Sequence, residues 1–492
     1  MSENLDKIES SSEATHSGDG RLRHLLLLLL WLLLGGGFLV ATTSEATLST
    51  VALWSALCIF GTALCNRFAK KLDDPSLSLL ADFWLLKLAM TLFLLHAGWI
   101  PGLEPGSDYW GYDPQRYYLQ AQTLVDSNWD ASQINLNYPG VLYYYGVIFY
   151  VLGHNPFIPA LVNCFVSLLA ALYLIKAGHE IKGMPHSGGW ILALVLLIPE
   201  MLWFDILTAR ETVLANLLSV LLLLTGLHLV NRARSSIFSF LLKASVLASL
   251  IIVLRGSMIL PVIIAIGIMV WVFSFRSWTS KAALILLLGA VAAVTPLIID
   301  AIGGYEFNFA DIGRQLTNVS ENVASTGDMQ WSDKSIGQLL LPHNVWESIA
   351  FLPFRMILYL IAPAPAIAVS FDKLWGGDWG EWQHLFSGAS ALLYIITFPF
   401  LLAGMLHAIK NRSRNMAPLI MYISFWCVFI AIAYGNLIIH ERYRIMCLPL
   451  FWGCVWLSVT ACKWQLLAKM SFLWYGFLAL CAIFYVVYKG ML

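Results

Sequence analysis

The sequence predicts an all-α polytopic membrane protein, and three observations carry that prediction. Of the 492 residues, 59% are hydrophobic and only 12% are charged, where a soluble domain carries about a quarter charged residues. The apolar residues fall into continuous runs of about 20, the length that crosses a hydrocarbon core as a helix, and mean hydropathy is +0.74. The runs also lack the strict alternation of a membrane β-barrel. In lipid each segment must then pair its own backbone groups, which only a helix does.

Net charge is +0, so no basic field points to nucleic acid as a partner. The 20 Trp and 19 Tyr suit the two water–lipid boundaries. The 8 Cys are scattered, mostly inside apolar runs, with no Cys-x-x-Cys pair, and read as small core residues.

Taken in order, residues 1–23 form a Ser- and Glu-containing tail without periodicity, read as disordered and cytoplasmic. Residues 24–492 form the membrane domain. Spans are expected at 24–42, 48–65 and 79–99. Arg67, Lys70 and Lys71 follow the second, and lysine- and arginine-rich loops face the cytoplasm. This places the first large loop, 100–155, outside. Within it, 139–152 is about 21 Å long as a helix, too short to cross, and reads as an interfacial or re-entrant helix. The spans 156–176, 187–207, 211–230, 238–254, 257–275 and 281–302 follow. A polar loop, 303–384, then lies outside and carries a second juxtamembrane helix at 348–369. Spans at 385–409, 415–434, 445–462 and 470–488 bring the total to about 13.

Ionisable groups at membrane depth are costly, so they mark candidate sites. Under this topology Asp108, Asp113 and Arg116 sit on the first outer loop. Arg210 and Glu211 occupy one outer turn, Arg255 the next, and His440, Glu441, Arg442 and Arg444 a third, with Arg355 on the outer juxtamembrane helix. A planar guanidinium fork suits a phosphate. A carboxylate facing such a ring suits a base that takes a proton from an acceptor hydroxyl. The combination fits a transferase whose donor is a polyprenyl-phosphate-linked sugar, with the lipid tail between helices. Plainer readings stand beside it: Arg210 and Glu211 also fit an ordinary helix start, Arg255 a snorkelling anchor, and Arg442 and Arg444 lipid headgroup contacts. Asp82 and Lys87, inside the third span, read as inter-helix partners. The tyrosines at 138 and 143–145 fit an interfacial belt or a surface for stacking on sugars.

These residues resemble the GT-C superfamily of membrane glycosyltransferases, in particular the family 39-like bacterial proteins that include protein O-mannosyltransferases and aminoarabinose transferases. Asp113 through Tyr117 to Ala121 matches an Asp-x-x-x-Tyr-x-x-x-Ala loop motif. Tyr138-Pro139-Gly140 and the short apolar helix after it are similar to the element that follows. Ile198-Pro199-Glu200 through Arg210-Glu211 looks like the family's Pro-to-acidic stretch. Phe351 to Pro365 and Glu441-Arg442-Tyr443-Arg444 look like segments of polysaccharide-cluster members.

The resemblance implies inverting transfer at the outer face of the cell inner membrane. The acceptor would be a lipid-linked glycan, a polysaccharide or a protein. Asp113 would be the base or a metal partner, Asp108 would stand in for the second carboxylate, and a divalent cation could sit between them. Tyr117 and Tyr138 join the arginines as candidate substrate contacts. The rival readings are a repeat-unit polymerase and a non-enzymatic flippase. A flippase would show interrupted helices and charges within spans, whereas the charges here are expected at span ends.

Overall fold

The computed structural model of the protein describes residues 28–37, 48–96, 113–134, 139–155, 157–182, 188–206, 210–230, 237–273, 345–361, 379–412, 414–435 and 441–491. Among these residues all regular structure is helical. We label the helices in chain order: α1 Leu28–Gly37, α2 Leu48–Leu72, α3 Leu80–His96, α4 Asp113–Asp126, α5 Pro139–Leu152, α6 Phe157–Lys182, α7 Gly189–Ala193, α8 Pro199–Ile206, α9 Arg210–Val230, α10 Ile237–Arg255, α11 Ile259–Phe273, α12 Val345–Ile361, α13 Trp379–Lys410, α14 Leu419–Gly435, α15 Glu441–Arg444, α16 Leu448–Ala461 and α17 Trp464–Met491.

Local chemistry sets many of the boundaries. Helix α2 closes on Lys70 and Lys71, cations at the negative end of the helix dipole. Asp73 then turns left-handed, with φ of 50°, and Asp74 caps a 3-10 turn by accepting the Ser76 N–H at 2.9 Å. Helix α5 opens on Pro139, where the missing N–H costs nothing. Pro199 starts α8 after a 42° bend from the α7 segment, so Gly189–Leu197 and Pro199–Ile206 form either a broken span or a re-entrant loop.

Eight helices are long and apolar enough to cross a membrane, or nine if the bent pair counts as one, so the described chain is a multi-pass membrane bundle. The described residues thus account for eight or nine of the about 13 spans expected. Among the described residues, the runs 24–42, 257–275 and 415–434 carry shorter apolar helices, at Leu28–Gly37, Pro261–Phe273 and Leu419–Tyr434. The expected span 281–302 lies outside the described residues, as do the tail 1–23 and most of the loop 303–384. Apolar composition sets how much chain lipid tolerates; where helical geometry begins and stops is set by caps, glycines and packing.

Residues 139–152 and 345–361 fold as helices of 14 and 17 residues. The second starts three positions earlier than expected and accommodates Pro353. Helix α13 runs 32 residues from Trp379, so residues 379–384 belong to a helix and not to the loop predicted from their acidic, Trp-rich composition. Trp382 and Phe386 on its first turns pack together, and Phe386 stacks on Trp203 of α8 at 5.2 Å.

Helices α6, α9 and α16 form the interior, while α10 and α17 keep most of their surface outward. Small residues let neighbours close in, as is usual where helix packing lacks a hydrophobic drive. Gly61 of α2 lies under the Trp84 ring of α3, whose Nε1 donates to the Leu57 carbonyl at 3.1 Å. The bundle has two distinguishable ends. At one, Trp456 near the close of α16 donates to the Gly188 carbonyl at 2.9 Å, and His179 of α6 meets Asp74 at 3.3 Å. At the other lie α4, α5, the close of α10, the opening of α9 and α15.

Candidate functional site

At the second end, three helix termini deliver charge to one place. Helix α9 opens with Arg210-Glu211, the acid suiting the positive helix end. Helix α10 closes with Arg255 in its last turn, a cation at the negative end. The short α15 brings Arg442 and Tyr443. Arg210 Nε stands 3.3 Å from Glu211 Oε1, with both side chains buried. The same carboxylate lies within electrostatic reach of Arg442 and Arg255.

Two aromatic rings complete the group. The Tyr443 ring carries the Arg255 guanidinium at 5.2 Å and that of Arg442 at 5.0 Å, and Arg442 Nη2 donates to its hydroxyl at 3.1 Å. Arg210 stands over the Tyr117 ring at 5.8 Å. Guanidinium groups attract ring faces. The planar N–H fork of such a group is the part that grips an oxyanion. Tyr117 is buried on α4, four residues after Asp113, which opens that helix. Tyr145 of α5 is within electrostatic reach of both Tyr117 and Glu211.

The remaining candidates distribute differently. Asp108, Tyr138 and His440 lie outside the described residues. Asp113 and Glu441 are placed as the first residues of α4 and α15. Arg116 is exposed. Arg355 is buried in α12, one turn before Tyr359. Arg444 stands apart from its neighbour Arg442. Its Nε donates to Glu200 Oε1 at 2.8 Å, its Nη2 to the same oxygen, its Nη1 to the Tyr359 carbonyl at 3.0 Å and its Nη2 also to the Ser387 carbonyl at 2.8 Å. Its edge is thus engaged by protein oxygens from α8, α12 and α13.

Sequence reasoning missed a second buried charge system. Lys87 Nζ pairs with Asp205 Oδ2 at 2.7 Å, and both side chains are fully buried. Ser167 donates to the same carboxylate at 2.9 Å, Asn216 donates to Ser167 at 2.9 Å, and Lys87 also donates to the Leu196 carbonyl at 3.3 Å. Asn163 joins this system to α5, donating to the Asp205 carbonyl at 3.3 Å and the Tyr145 hydroxyl at 3.2 Å. The inter-helix partner expected for Lys87 is therefore Asp205. Glu200 and Asp205 join Lys87 as paired charges within apolar runs, whereas the charges were expected to gather at span ends. The signal was present: two acids inside the otherwise apolar 187–207 run demand partners at such depth.

Among the described residues no group of three His, Cys, Asp or Glu side chains could hold a metal. The cation suggested between Asp108 and Asp113 falls on residues whose side chains are not described.

No protein-family model matches the chain, and no curated protein matches it. Among solved structures it is similar to ArnT from Cupriavidus metallidurans in the apo state, at 15% identity and a TM-score of 0.44, over 78% of this chain. The similarity spans 61% of that protein's length, less than two thirds.

Proposed function

We propose that this chain is a membrane glycosyltransferase of the GT-C type, which moves a sugar from a polyprenyl-phosphate-linked donor to a lipid-linked glycan, polysaccharide or protein acceptor. The observation that carries the reading is the meeting of Arg210, Arg255 and Arg442 around Glu211 and Tyr443, beside the helix that Asp113 opens.

In this reading the arginines hold the donor phosphate and stabilise the charge that gathers on it as the glycosidic bond breaks. Burial strengthens those contacts relative to water. Glu211 keeps the arginines oriented and limits their mutual repulsion. Asp113 takes the proton from the acceptor hydroxyl as the new bond forms with inversion. The cluster faces the non-cytoplasmic side of the inner membrane, because the opposite ends of α2, α6 and α13 carry the lysines and arginines.

The test is transfer by the purified full chain in proteoliposomes given a radiolabelled polyprenyl-phosphate sugar. Asp113→Asn removes transfer by roughly a hundredfold or more, the range for loss of a general base, while the protein stays folded. Full activity in that variant removes Asp113 as the base.

A second reading, a flippase for lipid-linked glycans, is favoured by one feature: the bent helix pair Gly189–Leu197 and Pro199–Ile206, with charges buried beside it. Those charges are matched one to one by Lys87 and Arg444, which suits a fixed scaffold better than a moving substrate path. Movement of labelled lipid across the bilayer without any change in its glycan would favour the flippase.

A further inference from the structure

Helix α10 keeps most of its surface outward, yet its last residue reaches the arginine cluster. What fixes that end is visible at Gly140, the second residue of α5. A Cβ at this position would fall inside the van der Waals shell of the Val253 carbonyl oxygen and carbon, and within 2.8 Å of Val253 Cγ1. The contact is therefore backbone to backbone. Val253 is two residues before Arg255, and its carbonyl is among the last four of α10, which have no acceptor role inside that helix. The start of α5 presents the positive end of its dipole there, and a glycine Cα–H can point at a carbonyl oxygen where a side chain would block it. The two helix ends therefore lie in close backbone contact that only a glycine at 140 admits.

We propose that Gly140 is the positioning residue for Arg255: this backbone contact sets where the Arg255 guanidinium stands beside Tyr443 and Glu211. Any side chain at 140 pushes α10 outward and carries Arg255 with it. The consequence for lipid phosphate binding rests on the function proposed above, but the positioning itself does not.

The experiment compares the full chain with Gly140→Ala, Arg255→Ala, the double variant, Val253→Ala and Gly476→Ala, all purified in nanodiscs. Gly476 has open space around it and controls for adding a methyl group to a helix. Two readouts are taken alongside Tm. One is phenylglyoxal labelling of Arg255 by peptide mass spectrometry, since Arg255 is only 8% exposed. The other is binding of a polyprenyl monophosphate.

In Gly140→Ala, labelling of Arg255 rises several-fold while that of Arg444 stays low. Binding weakens about tenfold, as for Arg255→Ala, from loss of a charge-assisted contact. The double variant binds no worse than Arg255→Ala, because the two changes act through one group. Val253→Ala, which trims only the side-chain part of the contact, leaves Arg255 protected. Continued protection of Arg255 in a folded Gly140→Ala protein overturns the proposal, as does additive loss in the double variant. Should Gly140→Ala fail to fold, exposure of Arg255 in Val253→Ala overturns it instead. A wild-type chain that binds no polyprenyl phosphate, with Arg255 still unmasked by Gly140→Ala, sinks the proposed function and leaves the positioning role standing.

Discussion

Two charge systems in this bundle, one fully buried and one partly so, are built on different plans. In the interior, Lys87 pairs with Asp205 and Arg444 with Glu200, and neighbouring hydroxyls and carbonyls take up further bonds. At the α4–α5 end, Arg210 pairs with Glu211, Arg255 and Arg442 lie within electrostatic reach of the same acid, and all three stand over aromatic rings. The first plan matches each cation with its own carboxylate and locks helices together. The second concentrates guanidinium groups around one acid. Burial alone does not distinguish a scaffold from a site; the way donors are shared out does.

The contrast breaks most visibly if an interior pair is halved. Asp205→Ala or Glu200→Ala leaves an uncompensated cation in the bundle and costs about 3–5 kcal/mol, seen as a large drop in Tm or loss of folded protein from the membrane. Near-normal stability in either variant would mean that the interior pairs hold nothing.

Replacing both partners sharpens the point. Lys87→Met with Asp205→Leu removes both charges at similar volume. It returns stability to within about 1–4 kcal/mol of the original, on either side. A double variant as unstable as the singles would show that hydrogen bonding through Ser167 and Asn163, and not charge balance, dominates there.

The cluster behaves in the opposite way. In the transferase proposed above, Arg442→Ala raises the apparent KM for the lipid donor about tenfold, the range for a hydrogen bond to a charged group, while Tm barely moves. Arg442→Lys rescues little, since a point charge cannot reproduce the fork. Equal loss of stability at Arg442 and Arg444 would erase the distinction between the two systems. The smallest effect belongs to Arg116. It is exposed, so Arg116→Ala shifts stability by no more than about 0.5 kcal/mol, measured by thermal unfolding.

Residues 442 and 444 show how far sequence reading reaches. One position apart from a shared neighbour, with the same chemistry and the same predicted depth, they received one role. The fold gives Arg442 to Tyr443 and the shared acid, and Arg444 to Glu200, which lies 244 positions away in the chain. No spacing rule links residues so distant. The helix boundaries moved for a related reason: composition reports lipid tolerance, while the bend at Pro199 and the early start of α13 at Trp379 depend on what packs alongside.

What the sequence by itself determined was the helical membrane class and the residue types available for anion binding, because hydropathy and side-chain chemistry are local properties. Which helices lie inside, which acid neutralises which cation, and that Gly140 meets the α10 backbone were decided only in three dimensions. Coulomb pairing and close packing act between neighbours in space, whatever their separation along the chain.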